Sequence, residues 1–358
     1  MALQMYPGVV GELLNEIDGR NAGASVSMRA SNDIDWQWLA GRVIDGERIT
    51  KAEALSIVEC SPNELLDLLH AAFRIRQVYF GRDVHLHVLR NARSGSCPED
   101  CRFCSQSSAY NTGITDYPIQ TVESLVEGAR AAKAAGAARY CMVTATRGPS
   151  KKDLDVICEA VETIKGEYPE LELCTSLGLL NRKKAQRLKD AGVDRYNHNL
   201  ETSAAHFANL VQTHGYEDRV NTIQAAHDVG MESCCGGIVG MGETLADQVD
   251  LAFALRDLGV ASIPVNFLDP RPGTPMGDCD RLTPHQCLVT LAMFRFVNPT
   301  RDIRVAGGRE VNLGSMQAFA LYPANSIFTE GYLTTSGNEH SNDHTMIKEA
   351  GFNVLEVL

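Results

Sequence analysis

The chain has 358 residues, 44% of them hydrophobic, enough to bury a large core as one barrel with appendages or as two ordinary domains. Its formal net charge of −12 argues against nucleic acid as a partner, because a phosphate-binding protein needs a basic face to release counterions. No run approaches 18 consecutive apolar residues and none reads as a signal-peptide core, so the sequence predicts a soluble, cytoplasmic protein. Eleven cysteines in such a chain point to metal ligation plus some buried thiols rather than to a disulfide framework.

In chain order, residues 1–35 carry little pattern and read as an N-terminal extension rich in Gly, Asn and Ser between Gly19 and Asn32. Residues 36–80 read as helical. Thr50 is placed to cap a helix from Ala52 to Val58, and Ser61 one from Leu65 to Tyr79. From 81 to 340 a unit recurs: apolar strand, loop, amphipathic helix, glycine. Strands are expected at DVHLHVL (from Asp83), RYCMVTA (Arg139), ELELCTS (Glu170), DRYNHNL (Asp194), ESCCGGI (Glu232), SIPVNFL (Ser262), DIRVAGG (Asp302) and NSIF (Asn325). Gly136, Gly192, Gly230 and Gly259 close four of the helices, where a left-handed residue is needed. Eight parallel βαβ units most simply close into a TIM-type (β/α)₈ barrel, with its site at the strands' C-terminal ends. An open doubly wound sheet is the alternative, but no G-x-G-x-x-G turn follows the first strand. Residues 341–358 read as a C-terminal helix and tail.

After the first strand comes SGSCPEDCRFCSQSSAYNTG, whose C-x₃-C-x₂-C sets Cys97, Cys101 and Cys104 in one loop. Three close thiolates can hold three corners of a cubane and leave one iron open. Structural zinc wants four ligands, and no matching second pair follows. Glu99 and Asp100, between these cysteines, are expected to be solvated loop charges. Polar or soft residues also recur near the strand ends: Cys141, Cys174, Cys234, Asn197, Asn199, Asn266 and Arg304. In a barrel these ends converge on one cavity. A lone strand cysteine is usually packing, and Cys60, Cys158, Cys279 and Cys287 are read that way. His198, between two asparagines, is expected to face away from them.

The triplet after the first strand resembles the radical S-adenosylmethionine (SAM) superfamily. CPEDCRFCSQS, YNHNLETS, CCGGIVGMGET, RVAGGREVN and ANSIF, in that order, resemble the biotin synthase family across the whole barrel. The resemblance implies an enzyme converting dethiobiotin to biotin by sulfur insertion, with other barrel-type radical SAM enzymes (hydrogenase-cluster maturases, methylornithine synthase) or a non-enzymatic iron–sulfur carrier as alternatives. It implies a 4Fe–4S cluster on Cys97, Cys101 and Cys104. A 2Fe–2S cluster would lie on Cys141, Cys174, Cys234 and Arg304, with Arg309 the competing arginine and Cys235 a second thiol beside Cys234. SAM would meet Phe103, Asn199, Glu201, Arg219, Gly236, Gly237 and Ile238, and dethiobiotin would meet Asn197, Asn199 and Asn266. Three departures stand out: Glu201 occupies a position where many relatives have Asp, Cys235 one where a Ser or other small residue is common, and the N-terminal extension before Trp36 is long. A homodimer and an electron donor such as flavodoxin or ferredoxin are likewise implied by resemblance.

Overall fold

The computed structural model describes residues 34–334 and 340–355, so nearly all of the N-terminal extension lies outside the described residues. The chain divides into two units, Met1–Asp35 and Trp36–Leu358, and the architecture below is that of the second. Three helices come first: α1 (Trp36–Ile44), α2 (Lys51–Val58) and α3 (Leu65–Phe80). Thr50 caps α2 in a reciprocal capping box with Glu53, as its T-x-x-E spacing predicts. Ser61 does not cap α3. A turn intervenes, Glu64 takes the N-cap position, and the Ser61 hydroxyl instead donates to the Glu64 carboxylate at 2.6 Å.

The barrel follows as β1 (Asp83–Arg93), α4 (Val122–Ala134), β2 (Arg139–Thr144), α5 (Lys151–Glu167), β3 (Glu172–Ser176), α6 (Arg182–Ala191) and β4 (Arg195–Asn197). Next come α7 (Ala204–Phe207), α8 (Tyr216–His227), β5 (Glu232–Cys234), β6 (Gly237–Val239), α9 (Leu245–Asp257) and β7 (Ser262–Phe267). The barrel ends with α10 (Pro284–Val297), β8 (Asp302–Val305), α11 (Arg309–Leu313) and β9 (Ser326–Phe328). Every pairing is parallel, and β9 pairs with β1 to close the ring. All eight expected strands are present. Gly136, Gly192, Gly230 and Gly259 each have positive φ at a helix end.

β5 and β6 are two halves of one stave, since both pair with β7. The break at Cys235–Gly236 falls opposite Pro264, which has no N–H to give a ladder. A Cβ on Gly236 would sit 1.9 Å from the Pro264 carbonyl oxygen, so only glycine passes there. The C-terminal segment holds α12 (His340–Glu349) and a short strand not foreseen from the sequence, β10 (Asn353–Val354), which pairs with the start of β1. An apolar core lies between the first four strands and helices α4–α6, with Tyr140, Leu173, Tyr196, Ile157 and Leu188 fully enclosed. The barrel interior differs: its floor is polar, and that difference leads to the site.

Candidate functional site

The loop after β1 is shaped by its own backbone. Cys97 N–H donates to Gln106 (3.0 Å), Ser108 N–H to Cys97 (2.8 Å) and Cys104 N–H to Cys101 (2.9 Å). This curl brings Cys97, Cys101 and Cys104 to the wall of one cavity of about 280 Å³ at the C-terminal end of the barrel. Burial pushes the Cys101 thiol up and raises Cys104 to about 11, so the thiols keep their protons until a metal displaces them.

Glu99 and Asp100 are not solvated charges. Glu99 is only 7% exposed. Its carboxylate accepts from His214 Nδ1 at 2.5 Å and from the Thr213 hydroxyl, and it pairs with Arg147 at 3.1 Å. Asp100 accepts the backbone N–H groups of Gln212 (3.0 Å) and Thr213 (3.2 Å). The two acids therefore clasp the segment before α8 to the cysteine loop, an arrangement the sequence spacing cannot reveal.

The clasp continues into Arg219. His214 Nε2 accepts from Arg219 Nε at 3.0 Å, so the histidine proton must lie on Nδ1, toward Glu99. Burial and then the Arg219 charge lower the His214 pKa, which keeps the ring neutral. Arg219 Nη1 donates to the Asn199 carbonyl (2.7 Å) and to Glu201 (3.2 Å), and Nη2 lies 3.9 Å from Cys101 Sγ. Arg219 is thus a buried cation facing the triplet rather than a helix-surface charge. Glu201, carried in a left-handed conformation (φ 71°), is raised by burial against the pull of Arg219. Asn199 Oδ1 accepts from Gly236 N–H at 3.0 Å. Phe103, Asn197, Asn199, Glu201, Arg219 and Ile238 all line the cavity. Gly236 and Gly237 instead press on protein backbone, where a Gly237 Cβ would lie 2.4 Å from the Glu201 carbonyl oxygen.

β4 ends at Asn197, so strict alternation stops there. His198 lines the same cavity as its two neighbours, and its Nε2 is buried with no hydrogen-bond partner among the described residues. Asn266 reaches the cavity too. It also clamps two staves, with Nδ2 on Gly237 O (3.0 Å) and Oδ1 on Gly307 N–H (2.9 Å).

Deeper in the barrel, Cys141, Cys174 and Cys234 pack as one cluster. Cys141 and Cys174 are register partners on β2 and β3, and Cys174 bridges Cys141 and Cys234: its hydrogen bond with Cys141, together with burial, pushes its thiol up against the opposing effect of the bond with Cys234. Arg304 donates to Cys234 Sγ from Nη1 at 3.4 Å and to Ser262 Oγ from Nη2 at 2.8 Å. Its Nε is buried with no hydrogen-bond partner among the described residues. Asp302, on the same face of β8, accepts from Ser262 (2.9 Å), Asn325 (3.0 Å) and Ser326 (2.6 Å) and faces Arg304 (3.4 Å) and Arg139 (3.5 Å). Burial pushes its carboxyl up, but Arg304, His87 and Arg139 hold it well below the usual carboxylate range. Arg309 is saturated elsewhere, on Asp343 (2.9 Å) and Gln317 (2.8 Å). Cys235, fully buried, is not among the three packed thiols. Of the cysteines read as packing, Cys60, Cys158 and Cys287 are buried, but Cys279 is exposed. Sequence reasoning missed Asp302, His214, Arg147 and Tyr332, the last of which lines the cavity between Glu201 and the strand cysteines.

Both thiol groups pass a fit test. The loop set offers three sulfurs on one open wall, and the strand set offers three sulfurs beside an arginine with an orphaned nitrogen. Residues 92–255 match the Radical SAM superfamily, and residues 264–353 match the Biotin and Thiamin Synthesis associated domain. A biotin synthase of Salinibacter ruber is 56% identical over 88% of this chain and 88% of its own. That of Bacillus subtilis is 47% identical over 90% of this chain and 96% of its own. The chain belongs to the biotin synthase family.

A biotin synthase is a radical SAM enzyme, and a 4Fe–4S cluster and SAM come with that membership. Its activity is the sulfur insertion that turns dethiobiotin into biotin. Solved structures share the fold alone. Methylornithine synthase superposes with a TM-score of 0.78 at 19% identity, covering 88% of this chain and 97% of its own. A hydrogenase maturase superposes at 0.76 and 14%, covering 89% and 74%. The two other radical SAM enzyme types weighed from the sequence thus share the barrel, while the close sequence relatives are biotin synthases. No helix among the described residues is long and apolar enough to cross a membrane.

Proposed function

We propose that this chain carries out biotin synthesis with two metal centres in one barrel, a 4Fe–4S cluster on Cys97, Cys101 and Cys104 and a 2Fe–2S cluster on Cys141, Cys174, Cys234 and Arg304. The observation that carries the reading is the stacking of the two thiol sets. One set lines the mouth of the cavity and the other lies on the strands below it, with Cys141 reaching the shared space. When bound, the clusters supply the electron that cleaves SAM to methionine and a 5′-deoxyadenosyl radical, and the sulfur that ends in the product.

The protein's own part is placement. Arg219, fixed by His214 and Asn199, would present its cation to the SAM carboxylate. Glu201 and Asn199 face the ribose, and Phe103 and Ile238 form apolar walls for the adenine, with Gly236 and Gly237 setting the backbone behind them. Asn197, Asn199 and Asn266 offer amide donors and acceptors that match a ureido ring, which supports a dethiobiotin site between the two thiol sets. Arg304 ligates through a nitrogen that must give up a proton. Asp302, Ser262 and Cys234 fix its head, and Arg309 is excluded by its own ion pairs. Residues 81–340 are the catalytic barrel, preceded by the helical segment 36–80 and the extension 1–35 and followed by the C-terminal segment 341–358. The enzyme works as a cytoplasmic homodimer that takes electrons from a carrier protein.

Iron and sulfide analysis with Mössbauer spectra of anaerobically reconstituted protein tests this reading. Two cluster types are expected, and one should be consumed during a single turnover. Cys101→Ala should remove the 4Fe–4S signal and all SAM cleavage while the circular dichroism of the barrel stays unchanged. A single cluster type in fully reconstituted wild type would refute the second centre.

A further inference from the structure

The barrel end that carries the cysteine triplet also carries an unexplained concentration of positive charge. Lys151 and Lys152 open α5, Arg182, Lys183 and Lys184 open α6, and Arg187 lies one turn further on. A helix N-terminus disfavours cations, and the first turn of α6 contains no acidic residue to offset these. Lys152, Arg182 and Lys183 are exposed and make no ion pair among the described residues. Lys151 and Arg187 share a single carboxylate, that of Asp155 (3.1 and 2.8 Å). In the first turn of α5, Asp153 is buried, accepts from Ser150 N–H and faces Arg93. On a chain of net charge −12, this rim is a local inversion.

The rim adjoins the triplet's cavity. Arg147 and Leu179 line that cavity. Lys151 follows Arg147 by four residues and Arg182 follows Leu179 by three, so the backbone separations cannot exceed about 14 and 11 Å. The two loops are fused by Leu179 N–H on Arg147 O (2.6 Å) and by Lys184 Nζ on Pro149 O (2.8 Å). Arg147 itself ties this rim to Glu99, inside the cysteine loop.

We propose that the basic rim formed by the first turns of α5 and α6 is the docking surface for an acidic one-electron carrier protein that reduces the triplet's cluster. The inference rests on the triplet's assignment as a cluster site and adds the entry point of the electron. Each cleavage of SAM consumes one electron. The reduced carrier loses it, the sulfonium takes it up, and the C5′–S bond breaks to methionine and the 5′-deoxyadenosyl radical. Complementary charge speeds such transient encounters without requiring a large apolar interface. No exposed large hydrophobic residue falls within 147–152 or 182–187, which disfavours a membrane-inserting role. The acidic remainder of the surface would repel an extended polyphosphate.

The test uses the reconstituted holoenzyme and a triple variant, Lys152→Glu, Arg182→Glu and Lys183→Glu. SAM cleavage is driven either by a reduced acidic flavodoxin as sole reductant or by dithionite. Flavodoxin-driven cleavage should fall about tenfold or more in the variant at low salt. The wild-type flavodoxin rate should drop as ionic strength rises from about 0.01 to about 0.15 M, where the screening length shrinks from ~30 to ~8 Å. The dithionite rate should be equal in both proteins. An unchanged flavodoxin rate in the variant overturns the docking surface, and so does loss of both rates, which would assign these cations to the site or the fold. Retention of wild type but not variant on RNA or acidic vesicles, with equal flavodoxin rates, would give the rim to a polyanion and also overturn it. Failure of wild type to cleave SAM with dithionite would instead overturn the triplet reading beneath it.

Discussion

Asp302 is the carboxylate on which the polar floor depends, and Asp302→Asn isolates its charge with almost no change in shape. The variant keeps one amide oxygen for Asn325 and Ser326, now at 3.0 and 2.6 Å from the carboxylate. It turns a donor toward Ser262, Arg304 and Arg139. Arg139 retains Glu172, so the charge left uncompensated is chiefly that of Arg304, which is 1% exposed and keeps only Ser262 and Cys234. Breaking a buried pair by removing one partner costs about 3–5 kcal/mol, and the surviving partners of Arg139 place this case near ~3 kcal/mol. Against a total stability of about 5–15 kcal/mol that is a large fraction. Urea denaturation of the metal-free protein, followed by circular dichroism, should show the midpoint falling by roughly 1 M if m is about 3 kcal/mol/M. Asp250→Asn, which breaks an exposed pair with Lys51, should leave the midpoint where it is. A loss below about 1 kcal/mol in Asp302→Asn, with m unchanged, would refute the claim that this carboxylate neutralises the floor.

Cys174→Ala should eliminate the second cluster's signal and biotin formation while SAM cleavage survives; Cys158→Ala, a buried helix thiol, should leave both clusters intact at a modest stability cost. Asn266→Ala should weaken dethiobiotin binding by on the order of 1–3 kcal/mol, measured by calorimetry, with SAM affinity little changed. Because Asn266 also clamps Gly237 and Gly307, the thermal midpoint should fall too, and unchanged substrate affinity would make the clamp its whole role. His214→Ala should raise the dissociation constant for SAM by about tenfold, since Arg219 loses the acceptor for its Nε, and His214→Gln should restore part of that loss.

Much of this was legible in the sequence, for physical reasons. The eight staves showed through because parallel strands alternating with glycine-closed helices leave a pattern at every repeat. The strand cysteines showed through because a soft side chain stands out in an apolar strand. The clasp of Glu99 with His214 did not, because its members lie 115 residues apart and meet only when loops from different staves converge. The role of Asp302 was readable in principle. It precedes Arg304 by two residues on a strand, so the two side chains share a face. β10 was missed because two paired residues leave no periodicity to detect.

The two thiol sets differ in what holds them together. Cys97, Cys101 and Cys104 lie within eight residues, and the backbone hydrogen bonds that curl them together stay within residues 97–108, beside the clasp that Glu99 and Asp100 make with residues 212–214. A peptide of that length can gather three sulfurs with little else in place. Cys141, Cys174, Cys234 and Arg304 come from four staves and span more than 160 residues of chain, so they meet only after the ring has closed. Closing so long a loop is entropically costly, and anything that binds the assembled set but not the open chain stabilises the closed ring by its binding free energy. Metal at the strand set would therefore act as a latch on the barrel, whereas metal at the loop set would occupy a grip made within one short segment. A truncation that deletes β8 and β9 should abolish loading of the strand set outright, while the loop could still capture iron.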